Sequence, residues 1–326
     1  MRDLESAMAA NVGSRSSTQS LPLVMQPDPS LTDWAKSNVA VIEANLLQYG
    51  AILFRDGGVT TQADFARFVE TLFPETLSYV ERSTPRTRLT DRLYTSTEYP
   101  ASESIALHNE SSYASIWPEK ICFFCLSPAD RQGETPIADV RKVYDRIDPG
   151  IVADFDRRGW MLVRNYHEGI GLTWRSAFQT DDKLAVEDYC RSGQIEFEWI
   201  GDGRLRTRQV RPAAARHPKT GEKVWFNHLA FWHITSLDDE TGAVMTSLFA
   251  AEDLPYNTYY GDGSIIESDV INHIREAYEK ERVVFPWRQG DVLLLDNMLV
   301  AHGRNPFKGP RKILVAMAEP QTNRNL

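Results

Sequence analysis

"DVLLLDNMLVAHGRNPFKGPRKILVAM", residues 291–317, is the stretch on which the fold turns. It contains three short apolar runs, VLLL, MLVA and ILVAM, separated by Asp, Asn, Gly and Pro. Runs of this length and composition between such breakers read as β-strands joined by tight connections. His302 ends the second run, and Arg311-Lys312 opens the third after a loop holding Gly303, Pro306, Gly309 and Pro310. An imidazole therefore sits beside a basic pair at the mouth of a β core. A histidine placed there needs partners before it means anything.

The nearest pattern that could supply them is "ALHNE", residues 106–110. In an extended strand, side chains two apart share a face. His108 and Glu110 would then point together, with Asn109 opposite. An imidazole and a carboxylate suit Fe(II), Zn(II) or Mn(II). Alone the doublet is weak, because a solvated or hydrogen-bonded pair explains it as well. With His302 it gives two histidines and one carboxylate, the donor set that holds non-haem Fe(II) with other positions left open. An Arg at the head of the following strand matches a dicarboxylate with two parallel hydrogen bonds. Arg311 and Lys312 alternate faces, so one points inward, and the planar guanidinium favours Arg311.

The surrounding chain fits a mainly β protein with helical additions. "GAILFRD" (50–56) reads as a strand, and "TTQADFARFVETLF" as a helix behind a Thr61/Asp64 capping box. "ICFFCLSPA" (121–129), "GWMLVRNY" (159–166), "RLRTRQVRPAAARH" (204–217) and "KVWFNHL" (223–229) have strand composition. Helices are expected in "DDKLAVEDYCRSG" (181–193) and "IIESDVINHIREAYEKE" (265–281). Residues 1–20, rich in Ser and Ala, read as a poorly ordered N-terminus. No linker divides the remainder, so residues 21–326 are expected to form a single domain.

Composition narrows the function classes. The chain has 326 residues, 42% of them hydrophobic, and a net charge of −9. That balance argues against a general nucleic-acid binder. No apolar run reaches a membrane span, and the N-terminus lacks the apolar segment of a secretory signal. Three cysteines do not make a disulfide framework, and the expected compartment is the cytoplasm. Cys122 and Cys125 lie in apolar "ICFFCL" with no second pair and read as buried structural residues.

Taken together, His108-Asn109-Glu110 and "DVLLLDNMLVAHGRNPFKGPRKILVAM" resemble the Fe(II)/2-oxoglutarate-dependent dioxygenases of the taurine dioxygenase-like (TauD/TfdA) family. "RQGETPIADVRKVYD" (131–145) and "HPKTGEKVWFNH" (217–228) share the likeness, which runs from about residue 30 onward. Within the family, "STEYP", "LHNESSY" and "HGRNPFKGPR" look most like the SyrP-like amino-acid hydroxylases. The resemblance implies a double-stranded β-helix (jelly roll) core of the clavaminate synthase/TauD type. It implies Fe(II) held by His108, Glu110 and His302, and 2-oxoglutarate held by Arg311 and Thr135. It also implies O2 as co-substrate, with succinate and carbon dioxide released as a substrate C–H bond is oxidised. Related halogenases carry Gly or Ala in place of the carboxylate; Glu110 therefore points to hydroxylation or desaturation. The implied substrate is an amino acid, free or tethered to an acidic carrier protein, in natural-product biosynthesis.

Arg304, Asn227 and Glu98 are candidate substrate contacts, with Tyr99 and Trp117 near the same site. His217 is expected to order the turn that follows it, His233 to be structural, and His228, beside Asn227, to be a weak pocket candidate. Arg204, Arg206 and Arg208 share a face, read as a solvated edge strand or as a docking face for an acidic partner. Two other functions use similar residues. A zinc hydrolase also takes two His and a Glu, although the helical His-Glu-x-x-His is missing. A non-catalytic β-barrel binding module would keep the fold, but would not need a complete ligand set.

Overall fold

The computed structural model describes residues 21–27, 30–77, 81–82, 89–90, 93–96, 99–201 and 203–322. The 1–20 segment and Glu98 lie outside the described residues. A six-stranded sheet forms the larger layer, in the order Leu23–Met25, Ala51–Phe54, Val292–Asp296, Ile116–Ser127, Lys312–Thr322, Tyr94–Thr95. Its first pair is parallel and the rest antiparallel. The strands are apolar on both faces because both faces are covered. Ile121, Phe123 and Cys125 join one apolar cluster, while Cys122 and Phe124 join the other. Period-two alternation thus sends the two cysteines to opposite sides. All three cysteines are free and buried, and burial raises their thiol pKa values, so none is a thiolate.

Helices Leu31–Ser37, Val39–Tyr49 and Gln62–Leu72 cover the outer face through Leu31, Ile42, Leu46, Phe65 and Phe68. The third begins at the capping box read from the sequence, with Thr61 and Asp64 satisfying each other's backbone N–H. A cap of this kind contributes about 1 kcal/mol. On the inner face lies a four-stranded sheet, ordered Arg282–Val283, Ile137–Asp139, Val300–Arg304, Ile105–His108. Leu53, Phe123 and Leu295 of the large sheet share an apolar cluster with Ile137, Val300 and Ala301 of the small one. The two layers make a double-stranded β-helix core. Helices Lys183–Ser192, capped by Asp182, and Ser268–Lys280 lie where their patterns place them. Among the described residues, no helix is long and apolar enough to cross a membrane.

Three local expectations change. The 223–229 run is a strand only over Lys223–Val224; it then turns into a short helix, Leu229–Trp232. Asn227 causes this: its Oδ1 accepts from Leu229 N–H at 3.1 Å and its Nδ2 donates to Ala213 O at 2.7 Å. The Arg204–Arg211 strand is interior, between Trp160–Tyr166 and Glu196–Ile200, so its arginines do not guard an open edge. Arg206 is buried and donates to Asn165 at 2.7 Å and Asp253 at 2.5 Å. Finally, the strand carrying His108 ends at that residue, and Glu110 sits on the following turn.

Candidate metal centre

His108 and His302 face each other across the small sheet as directly paired residues. Their rings are 4.5 Å apart between centroids. Gly303 lets these strands approach, since a Cβ there would lie 2.6 Å from Ile105 O. The turn after His108 brings Glu110 back toward the same point, with its Oε2 3.6 Å from His302 Nε2. That separation is too long for a hydrogen bond and suits two donors on one ion. One donor atom from each of the three residues lies within 4.8 Å of the others, and all three residues are buried. His108 Nδ1 is 2.8 Å from Ala106 O, which can only accept, so the proton sits on Nδ1 and Nε2 keeps its lone pair. His302 Nδ1 is buried with no hydrogen-bond partner among the described residues. The donor set fits a borderline divalent ion such as Fe(II).

Beside the triad lies a cavity lined by Ser96, Phe123, Thr135, Arg304, Arg311 and Ile313. Arg311 reaches into it and donates Nε–H to Gly133 O at 2.8 Å. Burial first, then the Arg304 guanidinium, pushes its pKa down to about 10. Lys312 is exposed on the other side. Thr135 Oγ1 accepts from the Trp287 indole N–H at 3.1 Å, which leaves the hydroxyl proton free for a ligand oxygen. A guanidinium fork and a hydroxyl donor converge on one small space, a match for a carboxylate.

Residues 17–317 match the model of the family described as taurine catabolism dioxygenase TauD, TfdA. This chain belongs to the TauD/TfdA family. It is an Fe(II)/2-oxoglutarate-dependent dioxygenase, using Fe(II), 2-oxoglutarate and O2. It is 43% identical over 279 residues to the dapdiamide synthesis protein DdaC of Enterobacter agglomerans, covering 86% of this chain and 85% of that one. A clavaminate synthase-like protein of Arabidopsis thaliana is 30% identical over 310 residues, covering 92% and 91%. Among solved structures, the fold is similar to PvcB of Pseudomonas aeruginosa, with TM-score 0.55, 13% identity and 92% and 87% coverage. PvcB is described as an Fe, alpha-ketoglutarate dependent oxygenase from an isonitrile synthetic pathway.

The other residues singled out in this dioxygenase fall less neatly. Arg304 lines the cavity, but its terminal nitrogens donate to Tyr99 O, Pro100 O and Glu103 O at 2.6–2.9 Å. The guanidinium is thereby committed to the 99–103 loop. Asn227 is likewise occupied by its two backbone bonds. Trp117 is buried against Phe226, and Tyr99 is exposed. His217 accepts from Lys219 N–H and Thr220 N–H, ordering its turn. His233 is also buried, beside Thr235.

Of the neighbours around the two ligand histidines, His228 reads from the sequence as a weak pocket candidate beside Asn227; the others have no signal there. His228 lies 4.9 Å from the His108 ring and pairs with Ser112 at 2.9 Å. Burial, with the His108 ring beside it, keeps His228 well below the usual imidazole range, so it is neutral. Phe123 and Phe231 flank His302 and His108 at 5.1 Å. Trp287 and Asn297 also went unread. Their partners, Thr135 and Glu110, lie more than a hundred residues away, and no local periodicity encodes such contacts.

Proposed function

We propose that His108, Glu110 and His302 hold the Fe(II), that Arg311 and Thr135 hold the distal carboxylate of 2-oxoglutarate, and that the substrate is an amino acid or aminoacyl group. The convergence of three ligand atoms within 4.8 Å carries the assignment of the site. The 43% identity to a protein named for dapdiamide synthesis supports a place in natural-product biosynthesis.

The iron and 2-oxoglutarate, when bound, supply the oxidising power for C–H cleavage, with succinate and carbon dioxide as co-products. The chain's own residues do the positioning. His108 presents Nε2 because Ala106 O holds its other nitrogen's proton. Glu110 supplies an oxygen ligand where a halide would otherwise need room, which favours hydroxylation or desaturation. Arg311 and Thr135 orient the co-substrate by charge and by a donated hydroxyl proton. Phe123 and Phe231 place apolar walls beside the two imidazoles and limit water there. The substrate reaches this site free or tethered to an acidic carrier protein. Arg204 and Arg208, the outward members of the basic strand, are the residues left to meet such a carrier.

Incubating the protein with Fe(II), 2-oxoglutarate, ascorbate and oxygen across free and carrier-loaded amino acids tests the reading. Substrate-dependent succinate with a product heavier by one oxygen, or lighter by two hydrogens, is expected. Succinate release that no amino-acid substrate stimulates would contradict the substrate class.

A further inference from the structure

Glu110 is the one member of the triad that stands outside the β ladder. His108 and His302 are fixed by strand pairing, whereas Glu110 lies on a turn whose next residue, Ser111, has a φ of 54°. A non-glycine residue in the left-handed region persists only where its surroundings hold it. The holding group is Asn297, fully buried and 187 residues further along the chain. Its Oδ1 accepts from Glu110 N–H at 2.8 Å, and its Nδ2 donates to Glu110 O at 2.9 Å. One side-chain amide thus grips both polar groups of Glu110's backbone, as a neighbouring strand would. The second Nδ2 proton goes to Pro118 O at 2.9 Å, and Asn297 N–H donates to Glu119 O at 2.8 Å. Asn109, within the turn, donates its Nδ2 to Asn297 O at 2.6 Å.

Asn297 is itself held. Asp296 Oδ1 accepts from Met298 N–H at 3.0 Å and Leu299 N–H at 3.3 Å, closing the turn between two core strands. Asp296 Oδ2 meets the buried Lys120 ammonium at 2.8 Å and His217 Nε2 at 3.3 Å. The amide of Asn297 therefore arrives at Glu110 from a rigid base. Asp at 297 would keep the shape but lose both donors, and Ala would lose the grip entirely.

We propose that Asn297 is a positioning residue that sets the direction of the Glu110 carboxylate and hence the affinity of the site for its metal. The inference rests on Glu110 being a ligand, and a double-mutant cycle separates the two ideas. Co(II), stable in air-free buffer, is titrated by calorimetry into wild type, Asn297→Asp, Glu110→Ala and the double variant, without 2-oxoglutarate or oxygen. Asn297→Asp is expected to weaken Co(II) binding about tenfold or more, as for other groups that orient metal ligands. In the Glu110→Ala background the same change is expected to have no further effect. Wild-type affinity in Asn297→Asp, or an equal loss in both backgrounds, would overturn the proposal. Glu110→Ala binding Co(II) like wild type would overturn the ligand reading itself, and the proposal with it. Should Asn297→Asp not fold, Asn109→Ala removes the turn's other tie to Asn297. It must show the same background-dependent loss, and its absence would overturn the proposal equally.

Discussion

Arg311 and Lys312 are adjacent cations with opposite surroundings. Arg311 is drawn into the cavity beside Thr135 and Gly133, while Lys312 faces solvent. Arg311→Ala is expected to raise the KM for 2-oxoglutarate about tenfold to a hundredfold, the usual worth of a hydrogen bond to a charged group. Lys312→Ala is expected to leave it unchanged, and steady-state kinetics on the two variants checks both. A larger effect from Lys312 would reverse the assignment. At this scale the sequence singles out residues that the structure gathers: the two histidines and Glu110 converge, and Arg311 and Thr135 line one cavity. The supporting residues were not readable. Asn297 and Trp287 act through single contacts to distant residues, and an isolated Asn or Trp in an apolar run looks like any other. Arg304 differs, because its charge beside the site signals a ligand contact while its terminal nitrogens are held by three backbone carbonyls.

The elements were legible where a repeat length governs them. Alternation along 121–125 divides residues between two apolar clusters, and the Thr61/Asp64 box starts its helix as written. Elements failed where one side chain overrode composition. Asn227 bonds Leu229 N–H and bends a strand-like run into a helix. The strand through His108 stops before Glu110, so a shared strand face is not what brings this pair together. The pair is brought together instead by a turn clasped by the 296–299 turn. The basic strand 204–211 was misread for a related reason. Composition cannot say which strand is an edge, and sheet order placed this one inside with Arg206 satisfied.

At the scale of the whole molecule, buried ionisable groups tie stability to pH. Burial first, and then the Arg275 guanidinium, lowers the His233 pKa from 6.5 to about 4. The unfolded chain therefore takes up a proton over that interval that the folded chain refuses. Stability from this group is fully present above about pH 6.5 and is lost as pH falls toward 4, by roughly 3 kcal/mol at most. Asp296 has the same sign in a lower window: burial opposes its charge, but Lys120 and His217 outweigh that and lower its pKa. Denaturant unfolding between pH 7 and 5 should show falling stability in wild type and a shallower fall in His233→Asn. Equal slopes would contradict the assignment. The core itself is built so that two strands and one clasped turn bring three potential donor atoms to one point. Anaerobic Fe(II) binding measures that convergence most directly. One tightly bound iron per chain is expected in wild type, with binding lost in His108→Ala and in His302→Ala while both remain folded. Undiminished iron binding by folded His302→Ala would contradict the site.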